Sequence, residues 1–375
     1  MDDEFEQFGF KHFIASVAVV VFTAGALWAG SQGLEVALNG GGSNTANVSD
    51  SSSMASTTPT PSTTIPASSR TSAVSNPSAV SGSNSPTLTI MMGGDVMFDR
   101  HIRLLGMNNG YDRLLAPAAD LFKSADIAVV NLEGPITSNP SKTLLANGET
   151  TKALSFTFAT DTAPVLARAN IALVSLANNH ADNMGYGGFA ETKKWLDAAG
   201  VGYFGSPWNS SSTEAVVTRD GITVAFVGYH AFQPGIDRIL ADVRKLSSEG
   251  DLVVVMPHWG DEYVASSSPL LQKEAREFVA AGAGAVIGSH PHVVMDHEWL
   301  PSADGHGTVP VYYSLGNLLF DQYFSPAVMN GNVVALIVSK GADGAAHVTG
   351  VKVYDTKLDP KNGMMVDADS IGSAQ

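Results

Sequence analysis

The hydrophobic positions divide the chain into an apolar run, a polar stretch and a region of short alternating segments. Residues 13–30, FIASVAVVVFTAGALWAG, carry no charge, and residues 31–87 are rich in Ser, Thr, Asn, Gly and Pro. After them, β-rich runs alternate with helical patterns such as GFAETKKWLDAAG and SPLLQKEAREFVAAGA. This alternation predicts an α/β domain with parallel or mixed strands over residues 88–360. The runs NVVALIVSK and HVTGVKVYD predict an antiparallel pair, and residues 361–375 are expected to form a tail.

The apolar run has the length of a membrane anchor. As a helix it would span about 27 Å, close to the roughly 30 Å of a bilayer core. We expect a single-pass anchor with residues 1–12 as a short cytoplasmic tail and the main domain outside the cell membrane. Lys11 is the basic residue beside the run that supports this orientation. A cleaved signal peptide, disfavoured by the acidic residues that precede the run, and a buried soluble helix are the alternatives.

The polar stretch at residues 31–87 has almost no large apolar side chains to bury, so it predicts a disordered linker. A flexible chain of this length has a mean reach of roughly 40 Å. It is long enough to serve as a tether between the anchor and the domain.

The composition narrows the possible partners. The 375 residues carry a formal net charge of -15, which disfavours nucleic acid because the field repels phosphate backbones. An anionic substrate would need a local cation, such as a metal ion or an arginine. There is no cysteine, which excludes disulfides, thiolate nucleophiles and cysteine-ligated zinc.

Six apolar runs end in side chains that coordinate metals or move protons. In open α/β sheets the carboxyl ends of the strands form the ligand site, so these side chains can converge on one place. Each cluster alone is more often a cap, a turn or a packed side chain, but capping does not require His and carboxylate at successive strand ends. The candidates in chain order are Asp95; Asn131 and Glu133; Asn179 and His180; His258, Asp261 and Glu262; His290 and His292; and Asn317 and Asp321.

The residue types suit a divalent metal. Carboxylate, imidazole and amide oxygen are ligands for Mn, Fe or Zn, and one or two ions are expected. His290 and His292 are two residues apart, and we expect Pro291 to hold them on an extended segment that presents both on one side. His230, which follows the run TVAFVGY, is a further candidate for the cleft.

The motifs GGDVMFDR, VVNLEGPIT, SLANNHADNMGYGG, MPHWGDEY, VIGSHPHVV and YYSLGNLLFDQ resemble, in this order, those of the CapA family, also called PgsA. The resemblance covers residues 88–340 and implies a role in bacterial capsule or poly-gamma-glutamate synthesis. It also implies the calcineurin-like metallophosphatase fold, a four-layer α/β/β/α sandwich, here preceded by a single transmembrane helix and a disordered linker.

The same resemblance implies individual roles. His180 resembles the histidine that stabilises the leaving group, and Met97 stands where the phosphatases have a metal-binding histidine. A thioether is a poor ligand for hard divalent ions, so one metal position is weakened or rebuilt. The residues similar to metal ligands are Asp95, Glu133, Asn179, His258, His290 and His292, and those expected to shape the substrate cleft are Arg100, Glu262, Tyr263, Asn317 and Asp321.

Two functions follow from these expectations and stay open at this point. One is a membrane-anchored, metal-dependent hydrolase that acts on an anionic capsule polymer, either poly-gamma-glutamate or a polysaccharide. The other is a non-catalytic subunit that binds the polymer while membrane synthase or export proteins do the chemistry. A soluble phosphodiesterase unrelated to capsule is disfavoured by the expected anchor and linker.

Overall fold

Seven helices and two β-sheets form the part of the chain that the computed structural model describes, residues 86–366 without 146, 211–213, 251, 306 and 342. The helices are α1 (Arg100–Asn109), α2 (Asp112–Phe122), α3 (Thr162–Arg168), α4 (Gly185–Ala199), α5 (Ile236–Ser248), α6 (Pro269–Ala280) and α7 (Pro326–Met329). The strands are β1 (Thr87–Val96), β2 (Ile127–Leu132), β3 (Leu173–Ser175), β4 (Gly202–Phe204), β5 (Ala215–Arg219), β6 (Ile222–His230), β7 (Leu252–His258), β8 (Ala283–Ile287), β9 (His297–Pro301), β10 (Thr308–Tyr312), β11 (Asn317–Leu319), β12 (Asn330–Lys340), β13 (Ala346–Asp359) and β14 (Gly363–Val366).

The predicted membrane segment cannot be compared with these elements. The tail at residues 1–12, the anchor at 13–30 and the linker as far as residue 85 lie outside the described residues. Within the described range, no helix combines the length and the apolar character needed to cross a membrane.

The first sheet has the order β14-β13-β12-β1-β2-β3-β4, with β11 also paired to β1. Strands β1 to β4 are parallel, and β12 is antiparallel to β1. The predicted antiparallel pair is present as β12 and β13, in which Asn332 lies opposite Asp355. The sheet therefore brings the carboxyl ends of β1, β2 and β3 to one edge.

The second sheet has the order β5-β6-β7-β8-β10-β9. Its central strands β6, β7, β8 and β10 are parallel, and the edge strands β5 and β9 are antiparallel to their neighbours. The carboxyl ends of β6 and β7 are aligned, with His230 in register with His258.

Three buried hydrophobic clusters separate four layers. Along β1, Ile90 and Met92 pack between the two sheets, and Met91 on the opposite face packs toward helices α1 to α4. Along β7, Val254 faces the other sheet, and Val255 packs toward α5 and α6. Because successive side chains of a strand point to opposite faces, strands buried on both faces read as continuous apolar runs. The α/β class predicted from the sequence is confirmed for the described residues.

The two helices named in the sequence prediction are present, and their ends follow local rules. Helix α6 begins after Ser268, whose side chain accepts a hydrogen bond from the Leu271 amide, with Pro269 as the first helical residue. Helix α4 ends before Gly200, whose φ of 71° is the left-handed conformation that favours glycine.

The run VPVYYSLGNLLFD, which leads to Asp321, is divided between two strands. Strand β10 ends at Tyr312 in the second sheet, and β11 begins at Asn317 beside β1 in the first sheet. The chain turns at Gly316, whose φ is 68°, and the Gly316 carbonyl accepts a hydrogen bond from the Asp95 amide. A Cβ atom at Gly94 would lie 1.9 Å from this carbonyl oxygen. The absence of a side chain at Gly94 therefore permits this hydrogen bond, which joins β1 to the segment that crosses from the second sheet to the first.

The sheet also continues beyond residue 360, where a tail was expected. Strand β14 pairs antiparallel with β13, and Met364 is fully buried in the cluster between the first sheet and its helices. The segment GMMV has only 4 residues and follows a polar turn. A segment this short does not show the hydrophobic alternation that would predict a strand.

Candidate metal centre

The first sheet supplies its polar side chains in register. Asp95, near the end of β1, lies opposite Asn131 of β2 and Asn317 of β11. Glu133 follows β2 directly, and its amide donates to the Val96 carbonyl across 2.9 Å. The Asn131 side chain donates to Asp95 Oδ1 at 2.8 Å. Parallel pairing thus places two buried carboxylates at the same edge.

Asp95 and Glu133 form a buried group with His292 in which one ligand atom from each residue lies within 4.8 Å of the others. His292 Nδ1 is 3.3 Å from Asp95 Oδ2, and His292 Nε2 is 3.6 Å from Glu133 Oε1. All three residues are at most 3% exposed. Two carboxylates and an imidazole at this spacing could hold a divalent metal ion.

Asn317 orients His292. Its Oδ1 lies 2.9 Å from His292 Nδ1, and its Nδ2 donates to the Val328 carbonyl at 2.9 Å. The amide oxygen is therefore an acceptor, and His292 Nδ1 donates to it, which leaves the lone pair of Nε2 toward Glu133. Metal-binding histidines are commonly held in this way by a partner on the other ring nitrogen. Asn317, predicted for the substrate cleft, is instead buried and positions a ligand candidate.

Glu133 has an uncompensated oxygen. Its Oε1 is buried and has no hydrogen-bond partner in the structure. Burial raises the pKa of Glu133 well above its ordinary value, and the neighbouring Asp95 and Glu262 raise it further, while the charge of Arg100 acts in the opposite direction. A bound cation would supply the missing partner and offset the repulsion between the two carboxylates. These residues therefore fit a metal ion.

A second set of donor atoms lies beside this group. His258 Nε2 is 2.8 Å from Asn179 Oδ1 and 3.2 Å from His290 Nδ1. Burial lowers the pKa of His258, and burial with the nearby His292 lowers that of His290 to about 3. Both imidazoles are therefore neutral near pH 7, the form in which histidine binds a metal. The six side chains predicted as ligands thus meet at one place in two adjoining sets.

The path of the chain through His290 and His292 differs from the prediction. The segment bends rather than running extended, because φ is 101° at His290 and 58° at His292. Two contacts hold the bend: the His290 amide donates to Asp95 Oδ2 at 3.2 Å, and the Tyr263 amide donates to the Pro291 carbonyl at 2.8 Å. Such backbone conformations cost energy in non-glycine residues and cluster at functional sites.

His180 faces the metal group from the first sheet. Asn183 Oδ1 accepts from the Phe156 amide at 2.7 Å and lies 3.1 Å from His180 Nδ1. Since this oxygen is an acceptor, His180 Nδ1 donates to it. The other ring nitrogen, Nε2, then carries the lone pair and lies 3.9 Å from Glu133 Oε1. Burial lowers the pKa of His180 to about 4. The ring is therefore neutral at pH 7, and its Nε2 can accept a proton.

The predicted cleft residues lie around the buried group. Arg100 forms an ion pair with Asp321, and both side chains are largely buried. Tyr263 is 45% exposed, and its ring centroid lies 6.2 Å from that of His292. Burial and the neighbouring Glu262 raise the pKa of Tyr263 to about 12. Glu262 is exposed at this rim, as is Asp261, and neither belongs to the buried group.

Several contributing residues were not predicted as parts of the site. Ser289 Oγ lies 3.0 Å from His258 Nδ1, and Asn178 Nδ2 donates to Asn131 Oδ1 at 3.0 Å. Their positions inside SHPH and NNH are the sequence signal that could have found them. Phe156 packs on His180 with ring centroids 4.4 Å apart, and Phe320 packs on His292 at 4.7 Å. No polar pattern marks these two phenylalanines.

Met97 provides no ligand. Its side chain is fully buried in the core between the first sheet and its helices, and its sulfur accepts a hydrogen bond from the Asp99 amide at 2.9 Å. His230 lies beside the site, with its ring centroid 6.1 Å from that of His258 and its Nδ1 2.7 Å from the Pro207 carbonyl.

Together these features define a mixed α/β protein with a buried carboxylate–histidine group at the carboxyl ends of its strands. Residues 89–322 match the family described as bacterial capsule synthesis protein PGA_cap. The chain belongs to this family, and the resemblance found in the sequence is confirmed.

Three relatives carry related names. The capsule biosynthesis protein CapA of Bacillus anthracis is 30% identical over 63% of this chain and 60% of its own length. The PGA biosynthesis protein CapA of Bacillus subtilis is 26% identical over 71% of this chain and 72% of its own. The probable polyglutamine synthesis accessory protein Rv0574c of Mycobacterium tuberculosis is 24% identical over 68% and 84%. The match thus spans three fifths of the Bacillus anthracis protein.

Proposed function

We propose that this protein takes part in the synthesis or export of a poly-gamma-glutamate type capsule polymer and holds a divalent metal at Asp95, Glu133 and His292. Its family and the names of its Bacillus relatives support the capsule role. The observation that carries the metal assignment is the buried, unpartnered Glu133 Oε1, which faces His292 Nε2 at 3.6 Å.

The donor set defines what the centre can do. Carboxylate and imidazole suit Mn, Fe or Zn, and Asn179, His258 and His290 would hold a second ion if one binds. When bound, such an ion supplies Lewis acidity that polarises a carbonyl or phosphoryl oxygen. His180 would accept a proton at Nε2 or hydrogen-bond the reacting group, since its Nδ1 proton is held by Asn183. The aromatic rings of Phe156 and Phe320 would exclude water from the two histidines on which they pack.

We also propose that the domain acts outside the cell membrane on a tether. The uncharged run at residues 13–30 has the length of one membrane span, and residues 31–87 have the composition of a flexible linker. The partners would be the anionic polymer and the membrane proteins that synthesise or export it.

One observation favours a second candidate, a polymer-binding assembly subunit without catalysis. Met97 stands two residues after Asp95 and is packed in the core, so this position adds no ligand to the Asp95 group. A missing ligand weakens the two-metal arrangement used for hydrolysis, while a single ion can still bind an anionic chain.

Turnover and binding by the purified full chain distinguish a metal-dependent hydrolase from a polymer-binding assembly subunit without catalysis. With Mn²⁺ added, we expect hydrolysis of a γ-glutamyl oligomer or a simple phosphodiester that falls about 10²–10⁴-fold in His180→Ala with metal content unchanged, the usual effect of losing a proton-transfer group. The matched control is His297→Ala, a histidine exposed on β9.

Binding of the oligomer without turnover would support the assembly subunit. A chain that binds neither metal nor oligomer would contradict the proposed function in both forms.

A further inference from the structure

Arg100 lies next to the metal centre. Its guanidinium carbon lies 5.0 Å from the ring centroid of Phe156 and 5.5 Å from that of Phe320. These are the rings that pack on His180 and His292. Arg100 therefore shares both aromatic neighbours with two histidines of the site, and its charge acts on Glu133 and on His180.

The hydrogen-bonding capacity of Arg100 is only partly used. Its Nη2 donates to Asp321 Oδ1, but its Nε is buried and has no partner in the structure. The second oxygen of Asp321 accepts from the His101 amide at 3.2 Å. Asp321 thus gives Arg100 one oxygen, although a guanidinium can bind a carboxylate through two parallel hydrogen bonds.

Arg103, three residues further along α1, is an arginine whose hydrogen bonds go to the protein, and it serves as a comparison for Arg100. Its Nε donates to Asp99 Oδ1 at 2.9 Å, and its Nη2 donates to the Thr157 carbonyl. The Nε donor is occupied in Arg103 and unused in Arg100. Protein acceptors therefore hold the guanidinium of Arg100 through fewer hydrogen bonds than that of Arg103.

The backbone at Arg100 supports this assignment. Its φ of 48° is unusual for a residue other than glycine, and such conformations persist where the surrounding structure enforces them. Here the conformation accompanies a side chain that is only 12% exposed and directed over Phe156 and Phe320.

We propose that Arg100 receives a carboxylate of the polymer, and that Asp321 is an internal carboxylate which pairs with Arg100 until the polymer carboxylate displaces it. This proposal rests on the proposed function, in which the ligand is a γ-glutamyl polymer. A γ-linked glutamyl chain carries one free α-carboxylate on every unit. A polyanion approaching a chain of net charge -15 needs such a cation at the site. The ligand class is therefore a γ-glutamyl chain, recognised through its free α-carboxylates.

The test measures binding of a γ-glutamyl oligomer, and of the same oligomer with its α-carboxylates converted to amides, to the purified full chain with Mn²⁺. In Arg100→Gln we expect binding of the acid oligomer to weaken by about 10-fold to 100-fold, the effect of losing a charged hydrogen bond. Binding of the amide oligomer should change less than twofold, roughly the scatter of surface substitutions.

Asp321→Asn should have the opposite effect on the acid oligomer. The single amide oxygen can keep one of the two hydrogen bonds that Asp321 accepts, and the competing negative charge is gone, so binding should tighten about tenfold. Arg113→Gln and Asp120→Asn make the same charge changes at exposed positions and should leave binding within about twofold.

Equal weakening of acid and amide oligomers in Arg100→Gln, or weaker acid binding in Asp321→Asn, would overturn the assignment. Metal content is measured in every variant. Wild-type protein that binds metal and the acid oligomer, with no effect of Arg100→Gln, would refute the role of Arg100 and leave the proposed function intact. Absence of both metal and oligomer binding in the wild type would refute the proposed function itself.

Discussion

His292→Ala protein is expected to bind Mn²⁺ at least about 100-fold more weakly than the wild-type chain. His292 contributes one of the three side chains of the buried group, and its Nε2 faces Glu133 Oε1 at 3.6 Å. Loss of an outer partner that only orients a ligand costs roughly 10–100-fold in metal affinity, and loss of the ligand itself should cost more. Equilibrium dialysis with elemental analysis of the protein fraction measures the affinity directly.

The control is His297→Ala, which removes an exposed imidazole from β9 and should leave Mn²⁺ affinity unchanged. Unfolding by urea must show that His292→Ala is folded, so that weaker binding reflects the missing ligand. Wild-type affinity in a folded His292→Ala protein would contradict the assignment of His292 as a ligand.

The second large effect concerns the metal-free protein, in which Glu133→Gln should increase the free energy of unfolding at about pH 8. The buried Glu133 carboxylate has an oxygen without a partner, and such a group costs about 1–3 kcal/mol or more when charged. The glutamine side chain carries no charge at any pH and offers both a donor and an acceptor. Without metal, the substitution should therefore stabilise the protein by at least about 1 kcal/mol.

The raised pKa of Glu133 determines how the free energy of unfolding changes with pH. Because the folded pKa of Glu133 lies above the ordinary value of 4.5, the folded protein binds this proton more tightly than the unfolded chain. The associated stability is fully present below about pH 4.5 and is lost as pH rises through the folded pKa. In metal-free wild type, the contribution of Glu133 to the unfolding free energy should therefore fall with increasing pH, and Glu133→Gln should remove that contribution.

Urea unfolding in the presence of a chelator measures both effects, with Glu249→Gln at the exposed end of α5 as the control. Added Mn²⁺ should stabilise the wild type more than it stabilises Glu133→Gln. A lower unfolding free energy for metal-free Glu133→Gln at about pH 8 would show that the carboxylate is satisfied without a cation.

The candidate ligands were accessible from the sequence because each follows an apolar run. The runs before Asp95, Glu133 and His258 are strands buried on both faces, so hydrophobicity marks where each strand ends. Parallel pairing then brings strand ends to one edge, which is a general property of α/β folds. Residue type and position at the strand end were sufficient to anticipate the group.

The local geometry was not accessible in the same way. The bend at His290 depends on the Asp95 carboxylate, which is 195 positions away in the chain. A residue before proline favours extended backbone, so local rules predicted the wrong conformation. The crossing at Gly316 lies inside one apolar run, and hydrophobicity alone does not show that the run divides between two sheets.

The aromatic neighbours of the site also required the fold. Phe156 lies in a segment without helical or strand periodicity, and it reaches His180 because its amide donates to Asn183. The next residue, Thr157, donates its amide to the buried Asp99 at 2.9 Å. These contacts join parts of the chain that no local pattern relates.

Crystals of the full chain grown with Zn²⁺ and measured at the zinc absorption edge test the metal centre most directly. We expect an anomalous peak about 2.0–2.2 Å from a carboxylate oxygen of Asp95, one of Glu133 and a ring nitrogen of His292. A map with these three side chains well ordered and no anomalous peak among them would contradict the metal centre.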